Sequence, residues 1–163
     1  MFLRKLCSTR APGAVVLVRA LVGCVFLCEG ILKFMQPEAL GAGRFAHIGI
    51  PAPEILGPFV GSVEIVAGAF VLLGLLTRPA ALALFINISV AILSTKVPIL
   101  LGHAFGPFSL PKMSSYGFWP MAHEARTDFC LLLGCLFLLI VGAGAISFDA
   151  LIGGGKRSAN DAR

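Results

Sequence analysis

Residues 14–35 read AVVLVRALVGCVFLCEGILKFM, a run in which apolar side chains greatly outnumber charged ones. A helix needs about 20 mainly apolar residues to cross the hydrocarbon core of a bilayer, so this stretch predicts a membrane-spanning helix. The same stretch contains Arg19, Glu29 and Lys33. Charged side chains are costly inside a membrane and often functional there, so these three residues need an explanation.

The composition of the whole chain is that of an integral membrane protein. Hydrophobic residues make up 58% of the 163 positions and charged residues only 13%, and the mean hydropathy is +0.95. Soluble domains have about 25% charged residues. The net charge is +5, but basic residues in a membrane protein usually set its orientation. Since no basic patch is interleaved with aromatic residues, we expect the lipid bilayer as a partner and no nucleic acid.

Three further segments are long and apolar enough to cross a membrane. The predicted spans are residues 14–35, 55–76, 79–101 and 126–146, with an aromatic-rich outer loop at 102–125 and a cytoplasmic tail at 152–163. Basic residues concentrate on the cytoplasmic side of membrane proteins. In this arrangement seven of them fall on the side of both termini: Arg4, Lys5, Arg10, Arg78, Lys156, Arg157 and Arg163. The sequence therefore predicts one membrane domain, residues 1–163, that is an all-α four-helix bundle with both termini cytoplasmic.

Helical periodicity places acidic residues toward the interior of this bundle. An α-helix turns about 100° per residue, so Glu29 and Lys33 lie on one face, and we expect them to form an i,i+4 ion pair. Glu124 and Asp128 share one side of the fourth span. With both termini cytoplasmic, Glu29, Glu64 and Asp128 would all lie in the outer half of the bilayer. We expect them to converge on one polar cluster or small cavity.

Glycines mark the packing face of the second span. Gly57, Gly61 and Gly68 lie on the same stripe as Glu64. Small residues allow membrane helices to approach each other closely. We therefore expect this stripe to face a neighbouring helix and Glu64 to point into the bundle.

A structural role is an equally weighted interpretation of the charged residues. Glu64 and the predicted ion pair of the first span could hold helices in register without binding a ligand. Lys96 lies nearly opposite Asn87 on an ideal helix and close to the outer end of its span, so we expect its ammonium to snorkel to the interface. Arg19 could likewise reach the nearest interface.

The cysteines, the histidines and the known sequence motifs indicate no metal or redox site. The five cysteines include no C-x-x-C pair. Four of them are expected to be small buried hydrophobic residues: Cys24, Cys28, Cys130 and Cys135. His103 and His123 could meet across the outer loop, but no third ligand lies at a fixed spacing, so no metal is predicted. The motifs of zinc proteases, nucleotide-binding loops and serine hydrolases are all absent, which leaves hydrolytic and nucleotide-driven functions without support.

The chain resembles the DoxX family of small four-helix bacterial membrane proteins in three segments: VRALVGCVFLCEGILKF, GIPAPEILGPFVGSVEIVAGAFVLLGLLTRPAALAL and HEARTDFCLLLGCLFLLIVGAGAISFDAL. The resemblance extends from about Arg19 to Leu151. It implies an inner-membrane protein associated with quinone-linked oxidoreduction. The positions that match the family pattern are Arg19, Lys33, Glu64, Arg78, Glu124 and Asp149.

These observations lead to two functional hypotheses. In the first, the protein is a bacterial inner-membrane subunit of a quinone-linked oxidoreductase, and a buried polar cluster near the outer face binds a quinone head group or relays protons. The candidate residues are Glu29, Lys33, Glu64, Asp128, Glu124 and Arg19. In the second, it is a non-enzymatic assembly or accessory protein that docks protein partners through its glycine-rich helix faces. Neither hypothesis assigns a catalytic residue, and a solute transporter is disfavoured because the sequence shows no inverted repeats or broken helices.

Overall fold

The computed structural model describes residues 11–153, which form helices joined by connections without regular structure. A π-helical segment, Ile92–Lys96, continues one helix directly into the next. The prediction of an all-α protein is confirmed for these residues. The helices, numbered in chain order, are α1 (Val15–Met35), α2 (Pro37–Leu40), α3 (Ala42–Ile48), α4 (Pro53–Leu73), α5 (Thr77–Ala91), α6 (Val97–Leu101), α7 (Phe118–Val141) and α8 (Phe148–Ile152).

Within residues 11–153, three helical rods are long and apolar enough to cross a membrane: α1, α4 and the continuous rod Thr77–Leu101. The helix α7 is also long, but Glu124, Arg126 and Asp128 lie in its N-terminal half. Residues 1–10 and 154–163, which contain most of the basic residues behind the predicted orientation, lie outside the described part of the chain. The predicted cytoplasmic tail lies there too, except for its first two residues.

Glycines end α4 and α7 at positions that hydropathy alone does not reveal. α4 ends at Leu73 because Gly74 adopts the left-handed conformation, with φ of +68°, which commonly ends helices. α7 begins at Phe118, inside the region predicted as an outer loop, and stops before Gly142, whose φ is +86°. The predicted connection between the first two spans contains the short helices α2 and α3.

The glycine stripe of α4 packs against helices of the same chain. A Cβ atom added to Gly30 of α1 would lie 2.7 Å from the carbonyl oxygen of Gly61, and one added to Gly68 would lie 3.0 Å from a backbone nitrogen of α1. A Cβ atom on Gly57 would lie 2.8 Å from the backbone nitrogen of Ala42 in α3. Backbones can approach this closely only because these positions have no side chain. The glycines are therefore occupied within the chain and do not form a free docking face.

The apolar core lies toward the end of the molecule that holds α8 and the connection between α4 and α5. Its fully buried side chains come from all four long helices, and they include Val22, Val71, Leu84, Cys135 and Leu138. We call this end the core end. The opposite end, where α2 and α3 lie, contains the cavity described next, and we call it the cavity end.

Candidate functional site

Glu64 of α4 is the centre of the polar site, and only 4% of its surface is exposed. Its Oε2 atom accepts a hydrogen bond from Nζ of Lys33 on α1 at 2.6 Å. Its Oε1 atom accepts a hydrogen bond from Nδ2 of Asn87 on α5 at 2.7 Å. Burying a carboxylate is tolerated when a cation neutralises it and hydrogen bonds satisfy its oxygens. Side chains from three helices therefore meet at this one group.

Lys33 pairs across the helix interface and not along its own helix. The predicted i,i+4 ion pair between Glu29 and Lys33 is wrong, because the ammonium binds Glu64 instead. The close contact of Gly30 with Gly61 brings α4 within reach of Lys33, and the more deeply buried carboxylate needs the cation more. Glu29 is exposed, and its charge lies near enough to act on Glu64.

A cavity of about 570 Å³ adjoins Glu64, and we call it the Glu64 cavity. Its size lies within the range of about 300–1,000 Å³ that holds small-molecule ligands. Apolar side chains form most of its wall. Carboxylates from α1, α4 and α7 therefore line one shared space. The polar lining residues are Glu29, Lys33, Arg44, Glu64, Asn87, Ser94, Thr95, Lys96, Thr127 and Asp128.

Lys96 forms a second ion pair on the wall of this cavity. Its Nζ atom lies 3.2 Å from Oδ2 of Asp128 on α7, and the two side chains are 12% and 23% exposed. The prediction that Lys96 snorkels to the interface is therefore wrong. The pair ties the π segment to α7 beside the cavity.

The π segment explains why the periodicity of an ideal helix misplaces Lys96. Lys96 follows Asn87 by nine positions, and at about 100° per residue the two would lie on opposite sides of a helix. In the π segment the N–H group of Val97 bonds to the carbonyl of Ile92, five residues earlier. This wider turn contains one extra residue, which reduces the rotation between Asn87 and Lys96 by about 100°. Asn87 and Lys96 consequently line the same cavity.

The lining of the Glu64 cavity is rich in hydrogen-bond donors, but its formal charge sums to zero. The carboxylates of Glu29, Glu64 and Asp128 are balanced by three cations. These cations are Lys33, Arg44 and Lys96. Such a lining suits an uncharged ligand with hydrogen-bond acceptors better than an anion or a cation, because a neutral ligand leaves the existing charge balance intact.

Glu124 lies beside the Glu64 cavity and not in it. It lines a second cavity of about 470 Å³, together with His47 and Lys112. Arg44 and Lys96 line both cavities. Of the predicted acidic candidates, Glu29, Glu64 and Asp128 share one space, and Glu124 is its neighbour.

Arg19 lies at the core end, away from both cavities. Its guanidinium donates hydrogen bonds to four backbone carbonyls, which belong to the last residues of α4 and to the chain after α7. The distances are 2.9 Å to Val71, 2.6 Å to Leu72, 3.1 Å to Ala143 and 2.5 Å to Ile146. The structure therefore assigns Arg19 to helix capping, because two of its acceptors are carbonyls in the last turn of α4 and the other two tie that turn to the chain between α7 and α8.

Asp149 complements Arg19 at the start of α5. Its two carboxylate oxygens accept hydrogen bonds from the backbone N–H groups of Leu76 and Thr77, at 2.8 and 2.9 Å. A carboxylate at a helix N-terminus satisfies free N–H groups and interacts favourably with the helix dipole. Arg19, Asp149 and the backbone they bind form what we call the Arg19–Asp149 junction.

The cysteines are more exposed than the sequence predicts. Cys24, Cys28 and Cys130 are exposed, so their prediction as buried residues is wrong, and only Cys135 is buried among the four. For a small apolar side chain, transfer from water is favourable both into lipid and into the protein interior. Hydropathy therefore cannot distinguish the two environments. Between residues 11 and 153 no group of three or more His, Cys, Asp or Glu side chains could hold a metal ion.

Sequence reasoning missed Asn87 and Lys96 as members of the site. Asn87 is a polar residue in an otherwise apolar span, which is itself a signal for the interior of a membrane protein. Pro98 is the signal for the π segment, since a proline inside a regular helix clashes with the carbonyl four residues earlier.

Fold and site together define a small helical membrane protein with charged side chains from several helices around an internal cavity. The chain belongs to the DoxX family, which matches residues 14–97. It is 49% identical over 145 residues to an uncharacterised membrane protein of Mycobacterium tuberculosis, covering 89% of this chain and 85% of that protein. It is 24% identical over 144 residues to a Bacillus subtilis protein named "Putative oxidoreductase CatD", covering 88% of this chain and 90% of the relative. No solved structure matches the chain.

Proposed function

We propose that this protein is a bacterial inner-membrane subunit of a quinone-linked oxidoreductase and that the Glu64 cavity binds the quinone head group. The observation that supports this proposal is the cavity lining, which is neutral in sum and rich in donors. A quinone ring is uncharged and has two carbonyl oxygens that accept hydrogen bonds. Lys33, Asn87 and Lys96 are the donors that would hold them. The oxidoreductase name of the Bacillus subtilis relative agrees with this class of chemistry.

In the proposed arrangement the protein is a four-helix bundle with α7 as the fourth span and both termini in the cytoplasm. The cavity end then lies toward the outer face. The charged N-terminal half of α7 does not argue against a span, because Asp128 lines the cavity and pairs with Lys96. A charged side chain that faces an internal cavity avoids the cost of contact with lipid.

The carboxylates supply the proton-handling part of the proposal. Reduction of a bound quinone to the quinol would take up two electrons and two protons, and the reverse reaction would release them. Glu29 is exposed and lines the cavity, so we assign its carboxylate to proton exchange with the ligand. Glu64 holds Lys33 and Asn87 in place as donors. A protein partner in the membrane would exchange electrons with the ligand.

The test is binding of trimethylbenzoquinone, a quinone without a long chain, to the purified protein in lipid nanodiscs. We expect Asn87→Leu and Glu64→Gln to weaken binding about tenfold or more, the loss that corresponds to one buried hydrogen bond to a charged group. Glu54→Gln is the matched control, since Glu54 begins the same helix, is exposed and does not line the cavity. Equal affinities for all four proteins, with each variant folded, would overturn the proposal.

A further inference from the structure

Three large apolar side chains line the Glu64 cavity and are also largely exposed. They are Phe59 of α4 and Ile86 and Val90 of α5, which are 60%, 56% and 48% exposed. Large lining side chains on two neighbouring helices can be this exposed only where the cavity is not closed off between those helices. The cavity is therefore open to the side, between α4 and α5.

The connections of the two helices explain this gap. At the core end α4 and α5 are held together by residues 74–76 and by Asp149. At the cavity end α4 packs against α3 through Gly57. The rod that continues α5 is instead bound to α7 by the ion pair of Lys96 with Asp128. The two helices thus pack against different partners at this end, which leaves room for an opening between them.

Polar groups lie at the inner side of the gap, the side farthest from the lipid. The hydrogen bond from Asn87 to Glu64 joins α5 to α4, and Ile86 and Val90 lie beside Asn87 on α5. Between this hydrogen bond and the lipid, the side chains on both sides of the gap are apolar. A molecule that enters from the lipid would therefore meet apolar side chains first and hydrogen-bonding groups last.

We infer that the ligand of the Glu64 cavity enters from the bilayer between α4 and α5 and keeps a long hydrocarbon chain in this gap. The inference rests on the proposed function and specifies its ligand as a quinone that carries a long chain. The head lies at the hydrogen bond between Glu64 and Asn87, and the chain lies against Phe59, Ile86 and Val90. The zero sum of charges on the lining argues for a neutral head group instead of a phosphate.

The experiment compares trimethylbenzoquinone with the same ring carrying a decyl chain, in nanodiscs of fixed lipid content. We expect Ile86→Trp and Val90→Trp, which fill the gap, to weaken binding of the decyl compound about tenfold, the equivalent of roughly two buried methylene groups. Binding of the ring alone should change less than about twofold. Leu82→Trp is the matched control, because Leu82 is an exposed residue of α5 that does not line the cavity.

The outcomes separate this inference from the proposed function. If the wild-type protein binds neither compound, the proposed function fails. If it binds both, but the tryptophan variants weaken them equally or not at all, the lateral entry is wrong and the proposed function stands. A phospholipid that native mass spectrometry finds bound to the wild type and lost from Ile86→Trp would overturn the assignment of a neutral head group.

Discussion

The core end and the cavity end of the molecule hold buried charge in opposite ways. At the core end, Arg19 donates to four backbone carbonyls and Asp149 accepts from two backbone N–H groups. At the cavity end, Glu64 binds the side chains of Lys33 and Asn87 next to about 570 Å³ of open space. The helix α4 therefore carries in its middle a site built from side chains and ends at one built on the backbone.

The difference indicates which charges hold the fold and which can serve a ligand. Backbone groups at a helix end cannot leave without unwinding the helix, so the Arg19–Asp149 junction has one arrangement. Side chains can change rotamer, and Lys33 and Asn87 have further N–H groups, besides those that bind Glu64, that a ligand can use. Buried charge in a membrane protein is thus no evidence for a binding site by itself. Whether a buried charge marks a binding site depends on the nature of its partners and on the space that adjoins it.

Removal of the Arg19 side chain should have the largest effect on stability. We expect Arg19→Met to lower the free energy of unfolding by about 3–5 kcal/mol, because four carbonyls lose their donor and Asp149 loses a nearby positive charge. SDS-induced unfolding in mixed micelles measures this quantity. Arg19→Lys should recover less than half of the loss, since an ammonium lacks the planar fork that reaches carbonyls on two sides.

Arg126→Met is the control for loss of an arginine, because Arg126 is exposed and its guanidinium bonds to the carbonyl of His123 on its own helix. The comparison between the two ends would be broken if Arg19→Met were as stable as this control. Quinone binding by the folded fraction of Arg19→Met should stay close to that of the wild type, since Arg19 does not line the cavity.

A smaller effect is expected in the middle of α4, from the ion pair of Lys33 and Glu64. Each single variant, Lys33→Met or Glu64→Gln, leaves a buried charge without its partner. The double variant removes both charges, so it should be more stable than the sum of the single losses predicts, by about 2 kcal/mol. The measurement is a double-mutant cycle of unfolding free energies.

Arg126→Met and Glu54→Gln provide a control cycle of two exposed residues on different helices, and their effects should add within experimental error. Additive effects of Lys33→Met and Glu64→Gln would mean that the two charges do not interact, contrary to their separation of 2.6 Å.

Hydropathy and periodicity were sufficient for three of the long helical rods and for the direction of the glycine stripe. The apolar runs predict α1, α4 and the rod Thr77–Leu101 with bounds that shift by only a few residues. The partners of charged residues were not predictable in the same way. Lys33 could reach Glu29 or Glu64 from one helix position, and only the close approach of α1 and α4 decides between them.

The Arg19–Asp149 junction shows a second limit of prediction from sequence. Arg19 binds carbonyls that lie 52 to 127 positions away along the chain, and periodicity within one helix carries no information about such partners. A resemblance to a family marked Arg19 and Asp149, but it could not say that one caps a helix C-terminus and the other a helix N-terminus. These roles follow from the ends of α4 and α5, which meet at Gly74.

The smallest effect on stability is expected from Lys96. Its ion pair with Asp128 is partly exposed to the cavity, so Lys96→Met should lower the free energy of unfolding by about 1 kcal/mol or less. Asp128→Asn should behave alike. A loss as large as that of Arg19→Met would mean that this pair belongs to the fold as firmly as the junction does.

The register of the π segment can be tested at the same position by disulfide cross-linking. In an uninterrupted α-helix, residue 95 would take the position that the π segment gives to residue 96. Eight steps along a regular α-helix from Asn87 turn through about the same angle as nine steps that include the π segment. In a background without other cysteines, Lys96→Cys with Asp128→Cys should therefore cross-link faster than a pair whose first cysteine is at residue 95. Thr95→Cys with Asp128→Cys is the matched pair, and faster cross-linking of that pair would show that α5 continues without the π segment and that Lys96 faces away from the cavity.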